Sequence, residues 1–577
     1  MNIQKKYREL LSKWISVLII GVCAIVLLIR NFYSFSWSDE SSYLTLVHRF
    51  WLGERMIADE WFKTQLIAPL LLPFYGLYQW ITGGNDGIYL YFRLLYWGIS
   101  VFTSFFTYCK LQKKNSHMAS LICSLTYLFY SRANIGGMSY YNVTLTCVLL
   151  SALLLYEQLG QKKVNKIKLY VMGLLLAFAV VGNPFLAFPY VVICIYMLAR
   201  KKYRIFWHEI LTVIAGTGTI AVFYMGYLLD KISIDDLLLN IPYILNEPEM
   251  QRTNPIFVIP LIIARIAWKY KWTIAITFLL VCYILWAKKK KKGFSDRENK
   301  LLMAINLGVF IINSILSINM LGCINIAIVL FVLPMVVMYN DWRDIDYAVV
   351  EIFGIAGFCL VLGFSFSSNT GLDAMAIGFV VLGIGAVLLA FQLDVLKKNQ
   401  LLYGITILVF SVVVFQTAIL RLFSVYRDAP INQLDTQITS GPAKYLYTTQ
   451  EHVRQYNELK AAINQYVRAD DVVFYSKWCF WSYLCTNNGY GTPSSWRMPF
   501  DSPRLQEYYE INPDKIPTCI FVLSPEYGDF ESSIILNNEK ALYPNENNVE
   551  GYLYDYIQEH DYEKIELQCA TIYRKRL

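Results

Sequence analysis

Residues 14–43 read WISVLIIGVCAIVLLIRNFYSFSWSDESSY, and this stretch decides the fold class. Its first half is an uninterrupted apolar run that follows a basic start and is long enough to cross a bilayer. It lacks a small-x-small cleavage site, so we expect it to remain as the first membrane span. Asp39 and Glu40 follow a few residues beyond it. Adjacent carboxylates at the mouth of a membrane helix are costly unless they are solvated, paired or bound to a cation, so this segment is a candidate for chemistry.

The composition indicates an integral membrane protein. Of 577 residues, 56% are hydrophobic and 16% are charged, and the mean hydropathy is +0.40. A soluble enzyme of this length needs a more charged surface. Apolar blocks long enough to span a membrane recur about thirteen times. The candidate spans are 14–30, 88–109, 117–130, 143–159, 167–181, 185–198, 205–229, 272–287, 301–317, 321–338, 347–364, 374–393 and 401–423.

The charges of the connecting loops predict the topology. Basic loops alternate with acidic or neutral ones, and the basic N-terminus falls on the basic side. The positive-inside rule then places the N-terminus in the cytoplasm and, with an odd number of spans, the acidic tail outside. We expect a multi-pass protein of the cell membrane, and nothing in the charge pattern indicates nucleic acid as a partner. The basic loops are 110–114, 162–168, 200–204, 288–292 and 397–398.

The chain divides into two predicted domains. Residues 1–424 form a membrane domain whose first outer loop, 31–87, carries two amphipathic segments at 43–56 and 66–80. These segments, and a third at 257–268, are typical of helices at the membrane interface. Residues 425–577 form the second predicted domain.

That second domain is the acidic tail, which alternates strand-like and helix-like runs and is of typical domain size. We therefore predict an extracytoplasmic α/β domain. Cys479 and Cys485 lie in it and could pair as a disulfide or remain thiols. The strand-like runs are 472–475, 519–523 and 570–573, and the helical runs are 451–468 and 549–560.

The order of these features resembles the C-type glycosyltransferase fold, and within it the protein mannosyltransferase and aminoarabinose transferase branch. The resemblance covers residues 14–229 by motif and the remainder by topology alone. It implies an enzyme that moves a hexosyl or pentosyl group from a polyprenyl-phosphate carrier to a cell-surface glycan, lipid or protein at the outer face. The segments that carry it are Asp39-Glu40 with Tyr43, Lys63 to Pro69, and Arg93-Leu94.

The chemistry of such a transfer suggests roles for the acidic pair. Moving a glycosyl group from a lipid phosphate to a hydroxyl requires a carboxylate that accepts a proton. Asp39 is our candidate for this base and Glu40 for a supporting catalytic group. The alternative is that the pair, with Ser38, only caps the following helix.

Stabilising the departing phosphate requires cations, either a metal ion or Arg and Lys side chains. The candidates on the outer side are Lys63, whose role the resemblance implies, and Arg93, for which snorkelling to the interface is the alternative. The other candidates for substrate binding are Tyr43, Asp59, Glu60, Glu247, Glu249, Arg252 and Arg265.

The loop at 132–142 bears on metal dependence. The family commonly places its second acid there, and this loop contains none. Whether a divalent cation such as Mg²⁺ or Mn²⁺ takes part therefore stays open.

Two other functions compete with glycosyl transfer. A lipid or polysaccharide transporter would need ionisable residues through several spans, and beyond Arg93 the spans carry few. An O-antigen-type polymerase or ligase would lack the early acidic pair and carry its large outer loop late in the chain.

Overall fold

The computed structural model describes residues 2–158, 161, 164–191, 195, 207–245, 255–290, 294–339, 347–367, 372–476, 479–496, 502–524, 527 and 552–576. The helices are α1 (Asn2–Arg30), α2 (Asp39–Trp51), α3 (Ala68–Thr82), α4 (Ile88–Leu111), α5 (His117–Leu128), α6 (Tyr140–Gln158), α7 (Lys166–Gly182), α8 (Trp207–Lys231), α9 (Ile234–Leu245), α10 (Pro255–Lys290), α11 (Asp296–Leu316), α12 (Asn325–Tyr339), α13 (Tyr347–Ser367), α14 (Leu372–Gln392), α15 (Asp394–Lys398), α16 (Gln400–Phe423), α17 (Gln450–Tyr466), α18 (Ser502–Ile511) and α19 (Tyr552–Glu559). The strands are β1 (Thr436–Gln437), β2 (Tyr447–Thr448), β3 (Val472–Tyr475), β4 (Gly489–Tyr490), β5 (Cys519–Leu523), β6 (Tyr562–Glu566) and β7 (Ala570–Lys575).

Eight helices of the described part are long and apolar enough to cross a membrane, so the chain is an integral membrane protein. Two further apolar helices, α5 and α12, are shorter. The predicted spans at 88–109, 117–130 and 321–338 correspond to α4, α5 and α12. The predicted span at 185–198 lies partly outside the described residues, so the count of thirteen stays a prediction. The eight are α1, α6, α8, α10, α11, α13, α14 and α16.

Helix α10 consists of two helical segments joined at a kink. We expected an interfacial helix at 257–268 and a separate span at 272–287, and the helix Pro255–Lys290 kinks between these ranges at Tyr270, whose φ of −106° and ψ of 18° are not helical. The predicted break is therefore confirmed, and the two segments follow each other without a loop between them.

Helix α2 is buried on all sides rather than lying at the membrane surface. Residues 39–50 are all buried. The tail covers the helix: the Thr45 hydroxyl donates to the Phe480 carbonyl at 2.8 Å, and the Tyr490 hydroxyl donates to the Thr45 carbonyl at 3.2 Å. The polar face that suggested an interfacial helix is therefore the face that contacts the tail.

The tail contains a mixed five-stranded sheet in the order β4-β3-β5-β7-β6. β3 runs parallel to β4 and β5, whereas β7 runs antiparallel to β5 and β6. The predicted strands coincide with β3, β5 and the first part of β7. Cys479 and Cys485 are both free thiols, so the disulfide alternative is wrong.

Candidate active site

Helix α2 begins with the acidic pair, and both carboxylates are buried. Asp39 is 5% exposed and Glu40 is 4% exposed. Ser38 occupies the capping position, but its hydroxyl accepts a hydrogen bond from Arg427 at 2.7 Å rather than capping the helix. Asp39 is in the first turn, where the helix dipole favours a negative charge.

Glu40 forms a bidentate ion pair with Arg93. Arg93 Nε donates to Glu40 Oε1 at 2.7 Å, and Arg93 Nη2 donates to Glu40 Oε2 at 2.5 Å. Arg93 Nη1 donates to the Asn31 carbonyl at 2.8 Å. Both oxygens of Glu40 are thus engaged, and Arg93, 3% exposed, is paired in the interior instead of snorkelling to the interface.

Asp39 lies beside a different guanidinium. Arg427 Nε is 3.9 Å from Asp39 Oδ2. Arg427 follows the end of α16, and its φ of +51° lies in the left-handed region, which costs a non-glycine residue roughly 1–2 kcal/mol. Such strain persists only where neighbouring contacts hold it, and it often marks a functional position.

Asp428 provides those contacts. It accepts a hydrogen bond from the Phe35 amide at 2.7 Å and from the Thr448 hydroxyl at 2.9 Å, and it lies 2.9 Å from His452 Nδ1. Because Phe35 is in the first outer loop and His452 is in α17, the segment after α16 is tied to both. Arg427, which precedes Asp428 in the chain, is thereby held beside the acidic pair.

A row of aromatic rings extends from Asp39 along α2. Tyr43, one turn further on, contacts Tyr140 with ring centroids 5.9 Å apart, and Tyr140 contacts Tyr141 at 4.0 Å. Arg132 lies over the Tyr141 ring at 4.5 Å. Burial, with smaller effects from Tyr141 and Asp39, raises the pKa of Tyr43 well above its usual value, so its hydroxyl stays protonated.

Tyr140 also lines an apolar cavity of about 230 Å³. The 3₁₀ turn Lys63–Ile67, the end of α7 and the end of α9 form its walls. Trp61 holds α9 in place, because its indole donates to Asn240 Oδ1 at 2.8 Å and stacks on Tyr243 at 4.2 Å. Lys63 lies on the wall, and Tyr140 connects the cavity to Tyr43, which is one turn along α2 from Asp39. The lining residues are Ile57, Lys63, Thr64, Gln65, Leu66, Tyr140, Gly182, Asn183, Pro184, Phe185, Ile241, Ile244, Leu245 and Ser367.

A second cavity, of about 20 Å³, is lined by Glu40. Arg93 lines this cavity and Lys63 lines the larger one. The structure therefore does not bring these two predicted phosphate ligands into one pocket.

Asp59 and Glu60 are buried in an ionic network instead of forming an exposed acidic loop. Arg49 Nη1 donates to Glu60 at 2.9 Å, and Arg55 Nη2 donates to Asp59 at 2.8 Å. Lys515 of the tail lies 3.8 Å from Asp59. Burial raises the pKa of Glu60, whereas at Asp59 the hydrogen bond from Arg55 and the charge of Lys515 outweigh burial and lower the pKa. Both acids hold the first outer loop and the tail together.

Three of the predicted site residues, Glu247, Glu249 and Arg252, lie outside the described residues. Arg265 is exposed on α10.

The described residues do not fit a divalent-cation site. They contain no group of three or more His, Cys, Asp or Glu side chains placed to hold a metal ion. Both oxygens of Glu40 are bound by Arg93, which leaves Asp39 as the single carboxylate of the pair facing the tyrosines.

Comparison with known proteins found distant structural likenesses and no match in sequence. No family model matches the chain, and no curated protein matches it. The fold is similar to the crystal structure of the Archaeoglobus fulgidus oligosaccharyltransferase tethered with an acceptor peptide containing the NVT sequon via a disulfide bond. The identity is 10%, the TM-score is 0.44, and the match covers 98% of this chain and 74% of that one. A likeness at this level carries no argument about activity.

Sequence reasoning missed several cations of the site. Arg427 carried a signal, since an Arg-Asp pair directly follows the last apolar span. Arg132 lies in the loop at 132–142, which contains no acid, and its own positive charge was missed. Arg30 and Arg421, at the ends of α1 and α16, read as ordinary basic residues flanking a span.

Proposed function

We propose that this chain is a membrane glycosyltransferase that moves a sugar from a polyprenyl-phosphate carrier to a hydroxyl-bearing acceptor at the outer face of the membrane. The observation that supports this most strongly is Asp39. It is a buried carboxylate at the start of a buried helix, it faces Arg427, and two tyrosines connect its helix to an apolar cavity.

In this proposal Asp39 is the general base. An acceptor hydroxyl loses its proton to Asp39 as its oxygen attacks the anomeric carbon of the sugar. The bond from that carbon to the phosphate oxygen breaks, and the carrier phosphate leaves with the electron pair. General-base assistance of this kind contributes about 10²–10⁴-fold to the rate. Arg427, 3.9 Å away, orients Asp39 before the transfer.

The larger cavity is suited to the donor's lipid chain. Its lining is mostly aliphatic and aromatic, which matches a polyprenyl group. Lys63 on its wall supplies a positive charge for the phosphate, and Arg132, behind Tyr141, is a second candidate. Tyr140 lies between the cavity and α2, so a displacement of its ring would open the path to Asp39.

In this mechanism cationic side chains stabilise the departing phosphate. We expect transfer by purified protein to continue in excess EDTA. A loss of transfer that Mg²⁺ or Mn²⁺ restores would contradict this part of the proposal.

We also propose that the acidic pair and the tail face the outside. Lys110, Lys113 and Lys168 converge on Glu157 at 2.7, 2.9 and 2.9 Å, which gathers two of the basic loops at one end of the bundle. The positive-inside rule makes that end cytoplasmic. Cysteine-accessibility labelling of intact cells should mark the tail and spare the lysine run at 288–292, and the reverse pattern would overturn the topology.

The decisive experiment is Asp39→Asn in a radiolabelled transfer assay with a panel of polyprenyl-phosphate sugars. Asn keeps the size of the side chain and cannot accept the proton, so we expect transfer to fall at least about 100-fold. Asp470→Asn, at an exposed position of the tail, is the matched control and should transfer normally. Glu40→Gln, compared per folded molecule, should lose less activity than Asp39→Asn. Transfer within a few-fold of wild type in Asp39→Asn would rule out the catalytic role.

A further inference from the structure

The small cavity beside Glu40 collects more positive charge than its surroundings compensate. Arg30, Arg93 and Arg421 line it and are 8%, 3% and 7% exposed. Glu40 is the single carboxylate in the lining. Buried charges that are left uncompensated cost several kcal/mol, so an excess of guanidinium groups calls for a negative partner.

The backbone supplies part of that partner. Arg30 donates to the carbonyls of Leu422 and Ser424, both at 2.9 Å, at the C-terminal end of α16. Arg30 is itself the last residue of α1. The C-terminal end of each helix is equivalent to about half a negative charge, so two helix ends and Glu40 supply about two negative charges against the three guanidinium groups of the lining.

Asp428 lies outside the lining, and its negative charge acts on Arg30 and Arg93. The acid that acts on Arg421 is Glu40, which already pairs with Arg93. The oxygens of Asp428 accept hydrogen bonds from the Phe35 amide and the Thr448 hydroxyl and lie against His452.

Two buried donors in the lining point to the same missing group. Arg421 Nη1 donates to the Asn134 carbonyl at 3.0 Å, but its Nε finds no partner among the described residues. The Ser36 hydroxyl, in a side chain 4% exposed, is likewise without a partner in the described part of the chain. Buried donors are nearly always satisfied in folded proteins, by protein atoms, by ordered water or by a bound group.

We propose that this cavity binds one small inorganic monoanion of about the size of chloride. About 10–15 Å³ of such space holds one water molecule, so a cavity of about 20 Å³ has room for a single small ion. The anion accepts hydrogen bonds from Arg421 Nε and Ser36 and balances the guanidinium groups that surround Glu40. This site does not depend on the glycosyl-transfer proposal, because the argument uses only charge, burial and hydrogen bonding.

The test is the thermal unfolding of the full-length purified protein in chloride, bromide, phosphate or gluconate at equal ionic strength. Chloride and bromide should raise the melting temperature saturably over gluconate, because a ligand that binds only the folded state stabilises it. Arg421→Gln should lose this dependence. Arg297→Gln, an exposed Arg outside the cavity, is the matched control and should keep it. Equal melting temperatures in chloride and gluconate, or stabilisation by phosphate alone, would overturn the proposal.

Two further measurements keep the test decisive if Arg421→Gln does not fold. Ser36→Ala removes a donor without changing charge and should shift the half-saturating chloride concentration upward. Crystals of the wild-type protein grown in bromide should show an anomalous peak between Arg421 and Ser36. A map with no peak there would refute the site.

Discussion

Separating Glu40 from Arg93 tests whether this arginine positions the acidic pair or binds substrate. Each member is buried, and two short hydrogen bonds join them. Removing one partner of a buried pair costs about 3–5 kcal/mol, because the other charge is left uncompensated. In Arg93→Gln, Glu40 still faces Arg30 and Arg421, so we expect the lower end of this range. Glu40→Gln leaves three guanidinium groups around one cavity, so we expect the upper end.

The double variant completes the cycle. Glu40→Gln with Arg93→Gln removes both charges and should be more stable than Glu40→Gln alone, with a coupling energy of at least about 2 kcal/mol. Reversible unfolding in mixed micelles measures the free energies, and the transfer assay gives the donor KM. If Arg93 only positions Glu40, the donor KM of the folded double variant stays within a few-fold of wild type. A coupling energy below about 1 kcal/mol would refute the ion-pair reasoning. A donor KM raised at least about 10-fold would indicate that Arg93 binds the donor.

Four further outcomes follow from the site and its supports. Lys63→Ala should raise the donor KM with little effect on kcat, and an unchanged KM would remove it from the phosphate site. Arg427→Gln should lower kcat more than Arg427→Lys does, whereas equal losses would indicate a role in folding alone. Arg49→Gln should make the tail sensitive to protease. The fully buried Arg49 donates to Glu54, Glu60 and backbone carbonyls of both the first outer loop and the tail. Protease resistance equal to that of the wild type would contradict this prediction. Burial lowers the pKa of His48 to about 4 from 6.5. Its contribution of about 3 kcal/mol to the free energy of unfolding is therefore present above pH 6.5 and is lost as the pH falls toward 4. His48→Asn should flatten the dependence of the free energy of unfolding on pH in this range.

The elements were predictable where local pattern determines them. Long apolar blocks located most described membrane helices within a few residues, and alternating β-branched and aromatic residues located β3 and β5. The strand β4 was missed, because two residues next to β3 form no pattern of their own. The burial of α2 was missed for a different reason. Its amphipathic pattern is the same whether water, lipid headgroups or the tail contacts the polar face, and only the long-range contact of Thr45 with Phe480 distinguishes these cases.

Long-range contacts also determine the site, and local sequence patterns do not reveal them. Asp39 and Glu40 were found because charge beside a span is conspicuous in sequence, but their partners come from elsewhere in the chain: Arg93 from the next span and Arg427 from beyond the last one. Basic residues at the ends of spans are so common as topological anchors that sequence gives no reason to single out Arg30 or Arg421. What distinguishes them is depth, since a guanidinium that remains in the interior must find acceptors there. Arg30 finds the carbonyls that end α16, and Arg93 finds Glu40. The acidic pair is therefore held by cations from distant parts of the chain, and its two carboxylates differ in partner: Glu40 pairs with Arg93, and Asp39 lies beside the more distant Arg427. This difference in partner is the basis of the different roles that we propose for them.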